Sequence, residues 1–297
     1  MRTSAFARLL LVLLFAGLTG CSAQKLSFIE DNPSHTLFLH NGEPVSWAQV
    51  TELALAHDII LFGELHNNAV AHWLQNELTR ALHADTTRAL VIGMEMFEAD
   101  QQLIVDEYIG GLITDRNFEE QARLWNNYAT DYKPVMLFAR QHGIPVIATN
   151  IPRRYASMVF REGLEAFERL DEQALSWIAP LPVTVDLELP GYANITQMSH
   201  GHGGDNLALS QASKDATMAH FILANFDAAQ ARHLHLNGAY HSDNFEGIYW
   251  YLRHYGFEGR IMTITTSDES EPGLFNEALR DRATVILQVH ERMTKTY

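Results

Sequence analysis

A chain of 297 residues with 36 acidic against 21 basic side chains carries a formal charge of −15. That balance excludes a nucleic-acid partner and a polybasic membrane surface, since both need clustered Lys and Arg. The single cysteine, Cys21, excludes a disulfide framework, so stability must come from an apolar core or a bound group.

The first twenty residues read as an export signal rather than part of the fold. Arg2 and Arg8 give a basic start, and the uncharged run Leu9 to Leu18 is too short to span a bilayer. Leu18-Thr19-Gly20-Cys21 resembles a bacterial lipobox, which implies that Cys21 becomes an acylated N-terminus. Loss of the two arginines with the signal would leave a net charge of −17. The expected organisation is a signal over residues 1–20, a lipidated tether over 21–35 and one domain over 36–297. Ser22 after the lipidated cysteine favours the outer membrane as the site of anchoring.

Within the domain, Thr36 to Leu39 followed by Asn41-Gly42 predicts a small hairpin. Ser46 is placed to cap a helix over 47–56. An apolar strand over 58–62 then runs into Gly63-Glu64-Leu65-His66, and Asn67 or Asn68 caps a helix reaching Leu82, with Val70, Trp73, Leu74, Glu77 and Leu78 on helical spacing. A second strand, 88–97, carries Glu95 near its end. Helices are expected over 100–109, 118–126 and 133–142, the last with Pro134 in its first turn. A third strand, 143–150, leads to a helix from Pro152 to Leu170. Residues 179–204 read as a long loop containing His200 and His202, and loops of that length are commonly functional. A helix over 207–228, a strand entering Gly238-Ala239-Tyr240-His241, a helix over 245–255 and strands over 260–265 and 283–289 complete the chain. Apolar strands alternating with helices predict an α/β fold: a mostly parallel central sheet with helices on both faces, with helical and loop insertions.

In such sheets ligands bind beyond the carboxyl ends of the strands. Glu64, His66, Glu95 and His241 all fall there, twice as Gly-x-x-His. The set suits either a divalent metal or a metal-free acid/base cluster with Glu64 or Glu95 as base. Gly63 and Gly238 are expected to turn the backbone sharply beside a ligand.

Five motifs, Gly63-Glu64-Leu65-His66-Asn67-Asn68, Gly93-Met94-Glu95-Met96-Phe97, Asn150-Ile151-Pro152-Arg153, Lys214-Asp215-Ala216-Thr217-Met218-Ala219 and Gly238-Ala239-Tyr240-His241, resemble the ChaN family of bacterial haem-binding lipoproteins. That family sits in a superfamily with Tiki-type proteases and erythromycin esterases. The resemblance implies a lipid-anchored envelope protein in haem and iron uptake that forms a homodimer on haem binding, ligates haem through a tyrosine and exchanges it with an outer-membrane receptor. Tyr155 is the first candidate for the iron, because Arg153 and Arg154 beside it suit haem propionates; Tyr192 and Tyr240 compete. His200 and His202 form a second candidate set, with His202 as a ligand to the iron. The alternative is a hydrolase of esterase or peptidase type in which Glu64, His66, Glu95 and His241 activate water, with or without a divalent metal. His57, His83, His142, His233 and His235 read as ordinary surface or core residues.

Overall fold

The structure is a computed structural model that describes residues 33–198 and 204–297. The signal, Cys21, most of the tether, His200 and His202 lie outside the described residues.

Seven strands form one sheet: β1 (His35–Leu39), β2 (Ile59–Glu64), β3 (Ala89–Glu98), β4 (Val146–Asn150), β5 (Ala231–Gly238), β6 (Ile261–Glu269) and β7 (Val285–His290). Their order is β1-β7-β6-β2-β5-β3-β4. All neighbours are parallel except β1, which runs antiparallel to β7. Every residue of β2, β5 and β7 is buried, as expected for strands covered on both faces.

Alternation splits β2 between two cores. Ile60 and Phe62 pack with Leu74 and Leu78 of the helix Ala69–Ala84 and with Val135 and Met136 of the helix Lys133–His142. Ile59 and Leu61 face Ala212, Ala216 and Ala219 of the helix Asn206–Ala224 and Tyr251 of the helix Ile248–His254. Small side chains on the long helix let its backbone lie close to the sheet. A third cluster joins Ile151, Tyr155, Val159 and Phe167. Among the described residues no helix is long and apolar enough to cross a membrane.

The chain leaves β2 to one side for β3 and β4, returns to insert β5 between β2 and β3, and then crosses to β6. The carboxyl ends of β2, β5 and β3 are therefore adjacent, and a crevice opens over them.

Local signals held where side chains cap backbone. Ser46 and Gln49 form a reciprocal capping box, and Asn68 Oδ1 accepts from the amides of Val70 and Ala71. The expected helix over 133–142 is present, closed by Gly143 at φ 65°.

Four expectations change. Strand β2 continues two residues further, so that Gly63 pairs with Asn237 and Glu64 with Gly238. The expected helix 118–126 is Asp115–Gln121, capped by Thr114. The expected helix to Leu170 breaks at Gly163 (φ 82°) into Arg153–Glu162 and a short 3-10 segment. The loop 179–204 holds the helix Pro190–Met198. The helix Ala69–Ala84 is also rotated relative to its apolar stripe: Trp73 is 53% exposed, whereas His72 and Gln75 are buried.

Candidate functional site

Strand β2 carries Glu64 into the protein, 1% exposed. Its Oε1 accepts from the Tyr132 hydroxyl (2.6 Å) and meets His66 Nδ1 (3.0 Å), and its Oε2 accepts from Gln75 Nε2 (2.7 Å). His72 Nδ1 lies 3.4 Å from Oε2, and His72 Nε2 lies 3.3 Å from Asp131 Oδ2. Asp131 accepts in turn from Asn127 (2.6 Å) and Thr296 (2.7 Å). Burial pushes the Glu64 carboxyl up, but His66 and His72 override it and hold it below the ordinary value. Burial likewise opposes charge on His72, and Glu64 and then Asp131 raise it. Tyr132, buried against Glu64, is pushed far up and stays a neutral donor.

His66 is fixed on several sides. Glu64 takes Nδ1, its carbonyl accepts from Asn127 (2.8 Å) and His72 (3.1 Å), and its ring stands edge-on to Trp125 at 4.9 Å. A carboxylate only accepts, so Nδ1 carries a proton and Nε2 is the nitrogen left for the crevice. Burial lowers the His66 pKa, and Glu64 and Glu95 raise it to a net upward shift.

A second network closes beside the first. Glu95 Oε2 accepts from the Gly238 amide (2.7 Å), and Oε1 lies 3.2 Å from His241 Nε2. His241 Nδ1 bonds Asp215, whose other oxygen accepts from the Tyr192 hydroxyl (2.7 Å). Burial disfavours charge on His241, but the two carboxylates prevail and push it up to about 10. Burial would raise Glu95, and the imidazolium holds it well below the carboxylate range. The crevice floor thus contains two carboxylate–imidazole–carboxylate sandwiches, Glu64–His72–Asp131 and Glu95–His241–Asp215.

Glu64, His66, Glu95 and His241 are brought together, but their donor atoms face one another. Among the described residues no group of three or more His, Cys, Asp and Glu is arranged to hold a metal ion. His233 and His235 are buried within β5 away from the crevice; His235 bonds Thr149 and Asn237, and burial pushes it down to about 4.

Neither glycine makes the sharp turn expected of it; each permits close approach instead. A Cβ at Gly63 would lie 2.8 Å from Ala239 Cα, and one at Gly238 would lie 2.7 Å from His66 Cε1. Gly238→Ala is therefore expected to displace the His66 ring and destabilise by about 1–3 kcal/mol. Urea midpoints and the His66 imidazole resonance check it; an unmoved resonance would refute the contact.

Above the floor lies a cleft of about 1080 Å³, walled by Trp125, Ile151, Phe160 and Leu207. It adjoins a lobe of about 590 Å³ that includes Gly238, Tyr240 and His241; His66, Glu95, Lys214 and Tyr297 line both. The larger space, about 1080 Å³, lies just above the roughly 300–1,000 Å³ typical of small-ligand sites.

Arg153 and Arg154 line the cleft, whereas Tyr155 does not. The Tyr155 ring is buried in the third core cluster, with the Arg154 guanidinium 4.4 Å above its centroid. Apolar Ile151, Ala156 and Val159 beside it turn this face of the helix inward. Arg154 is bound to Asp100 (2.7 Å) and to the Tyr155 hydroxyl (3.3 Å). Tyr192 is buried on Asp215, and Tyr240, half exposed in the small lobe, donates to the Gly191 carbonyl (2.5 Å).

Sequence reasoning missed His72, Gln75, Asn127, Asp131, Tyr132 and Gln211, the last with its Nε2 2.9 Å from His241 Nδ1. The first two lie beside the apolar stripe of their helix, and only burial of that flank brings them to Glu64. The others come from irregular segments or distant elements. Lys214 and Asp215 stood in a motif without an assigned role.

A family model described as haem-binding uptake, Tiki superfamily, ChaN matches residues 50–252. Among solved structures, ChaN of Campylobacter jejuni, described as binding haem cofacially, superposes with a TM-score of 0.66 at 17% identity, covering 86% of this chain and 97% of that one. A mutant of the erythromycin esterase EreC in its open conformation gives 0.44 at 13% identity, covering 74% and 72%. No curated protein matches the chain. With the model spanning well over half of its length, this chain belongs to the ChaN family of haem-binding uptake proteins in the Tiki superfamily.

Proposed function

We propose that this protein binds haem in the cleft above the two networks, as a lipid-anchored member of an envelope haem-uptake system. The observation that carries the reading is the cleft's composition. In a chain of charge −15, its wall joins Trp125, Ile151, Phe160 and Leu207 to the cations Arg153 and Lys214. An apolar slot edged by cations suits a flat, apolar ring system with acid groups.

Haem, when bound, would supply an iron that takes a donor from the protein. His66 offers Nε2, with Nδ1 anchored on Glu64, the arrangement that orients metal-binding histidines. Tyr297 also lines the cleft, and burial and the Glu64 charge raise its pKa. The burial of Tyr155 makes His66 the better-placed donor among the described residues. His200 and His202 keep their place as candidates. Phe160 and Leu207, exposed at the mouth, support covering by a second copy and hence a haem-linked homodimer. Anchoring through Cys21, location at the outer membrane and exchange with an outer-membrane receptor rest on the sequence.

Hemin titration of the mature protein tests the reading. A saturable Soret band is expected for wild type, with its position shifted in His66→Ala and unchanged in Tyr155→Phe. Absence of saturable binding would sink the haem reading; a shift only in Tyr155→Phe would return that tyrosine to the iron.

A second reading, hydrolysis, is favoured by Glu95, His66 and Lys214 meeting at the junction of the two lobes. Glu64 is saturated with donors, and Glu95 is held, against burial, by His241 and the Gly238 amide well below the carboxylate range, so His66, with Glu95 beside it, would serve as the acid/base group. A divalent metal would have to draw Glu95 or His66 out of existing contacts. An esterase and peptidase screen in which wild type does not exceed Glu95→Gln would remove this reading.

A further inference from the structure

After β7 the chain turns back over the sheet. The Glu291 amide donates to the Glu269 carbonyl at the end of β6 (2.9 Å), and Met293 packs partly buried against the main core. Lys295 then bridges antiparallel to Asn68, just beyond the carboxyl end of β2. The Thr296 amide donates to the Asn67 carbonyl (3.1 Å). Lys295 pairs with Asp268, which also accepts from Asn68 Nδ2 (3.0 Å). Since β6 lies between β7 and β2, residues 291–297 cross the carboxyl ends of both strands, and Tyr297 comes to line both lobes of the crevice.

One contact ties this segment to the network around His66. Thr296 Oγ1 donates to Asp131 Oδ2 (2.7 Å). The same oxygen accepts from Asn127 Nδ2 (2.6 Å) and lies 3.3 Å from His72 Nε2. Asn127 and His72 are also the groups that hold the His66 carbonyl, at 2.8 and 3.1 Å. One buried oxygen therefore has the crossing segment on one side and the holders of the His66 backbone on the other. The hold on the segment is near balance. The hydrogen bonds of Thr296 and the partly exposed ion pair of Lys295 gain no more than ordering residues 295–297 costs.

We propose that Thr296 is a positioning residue for His66: residues 295–297 form a strap whose docking on Asp131 sets the His66 ring, so that docking of the strap and filling of the crevice favour each other. With Thr296 in place, Asp131 keeps Asn127 and His72 on the His66 carbonyl, and the ring stays on Glu64 with Nε2 toward the crevice. With the strap released, water replaces the hydroxyl on Asp131, both donors are freer to leave the carbonyl, and Tyr297 leaves the junction of the lobes. The coupling is reciprocal: whatever factor docking adds to ligand affinity, the ligand adds to docking. Positioning by Thr296 holds for any ligand; its expression in haem affinity rests on the haem reading above.

The test compares wild type, Thr296→Val and Thr296→Ser in the mature protein, with circular dichroism and urea midpoints reporting the fold. The titration of His66 is followed by NMR without ligand, and hemin affinity by absorbance. In wild type, His66 is expected to titrate above its ordinary 6.5, because Glu64 and Glu95 outweigh burial. Thr296→Val is expected to bring that titration down toward 6.5 and to weaken hemin about tenfold, the factor of one ordinary hydrogen bond. Thr296→Ser keeps the hydroxyl and should restore both. A lower urea midpoint with an unchanged His66 titration would overturn the positioning role and leave Thr296 a structural residue. A shifted titration with unchanged hemin affinity would overturn the coupling to the ligand. If hemin fails to bind wild type, the haem reading falls, and the His66 titration alone decides the role of Thr296.

Discussion

His241→Gln is expected to destabilise the protein by about 3–5 kcal/mol, because it leaves Glu95 and Asp215 buried without the cation between them. The effect should depend on pH in a defined sense. Between buried carboxylates, His241 is raised from 6.5 to about 10, so the folded state holds the proton more tightly than the unfolded chain. Its contribution is therefore fully present below about pH 6.5 and is lost as pH rises through about 10. Glu95 works in the opposite direction: depressed in the fold, it contributes above its ordinary value of 4.5 and loses this only as pH falls through its lower folded value. Denaturant midpoints of wild type and His241→Gln should thus be furthest apart between about pH 4.5 and 6.5 and converge as pH rises toward about 10. A constant gap would mean that the ring is held neutral by packing alone.

Glu64→Ala is expected to cost a comparable amount, about 3–5 kcal/mol, since it strands a charged His72 beside Asp131 and removes the acceptor of Tyr132 and Gln75. Glu64→Gln keeps the shape but turns an amide NH₂ against one of several donors, and about 1–3 kcal/mol should be lost. Tyr132→Phe, which removes one donor and leaves the carboxylate with the others, should lose least. The order Ala, then Gln, then Tyr132→Phe is read from unfolding midpoints. Because Glu64 also fixes Nδ1 of His66, both Glu64 variants should alter the Soret spectrum of the hemin complex, and Tyr132→Phe should not. Unchanged spectra in both would detach Glu64 from His66's role toward haem.

These two networks mark how far a linear reading reaches. Glu64, His66, Glu95 and His241 were legible because each follows an apolar strand, where a polar side chain is out of pattern and the carboxyl ends of parallel strands are known to converge. Their partners were not. His72 and Gln75 lie on a helix whose apolar stripe suggested that Trp73 was inside, and the demand of a buried Glu64 for donors outweighed that stripe. Tyr132 and Asp131 come from the short π-helical turn Tyr128–Tyr132 and Asn127 from its N-cap, where the 3.6-residue period carries no signal. Tyr155 was attractive because two arginines adjoin it, yet apolar Ile151, Ala156 and Val159 turn its ring into a core.

What the sequence by itself determined was the alternation of buried strands and amphipathic helices, hence a parallel α/β sheet, together with a cap at Ser46 and one at Asn67 or Asn68, of which the fold uses Asn68. These follow from short-range chemistry: side-chain period, capping oxygens and turn-prone residues. What only the tertiary structure decided was partnership. Insertion of β5 between β2 and β3 makes the three strand ends neighbours, and that crossover is encoded by no local pattern. Burial then turns the neighbours into closed carboxylate–imidazole sandwiches. Which cations are free follows the same rule: Arg154 is spent on Asp100 while adjacent Arg153 is not. Two side chains with one chemistry differ only in what the fold sets within reach of each.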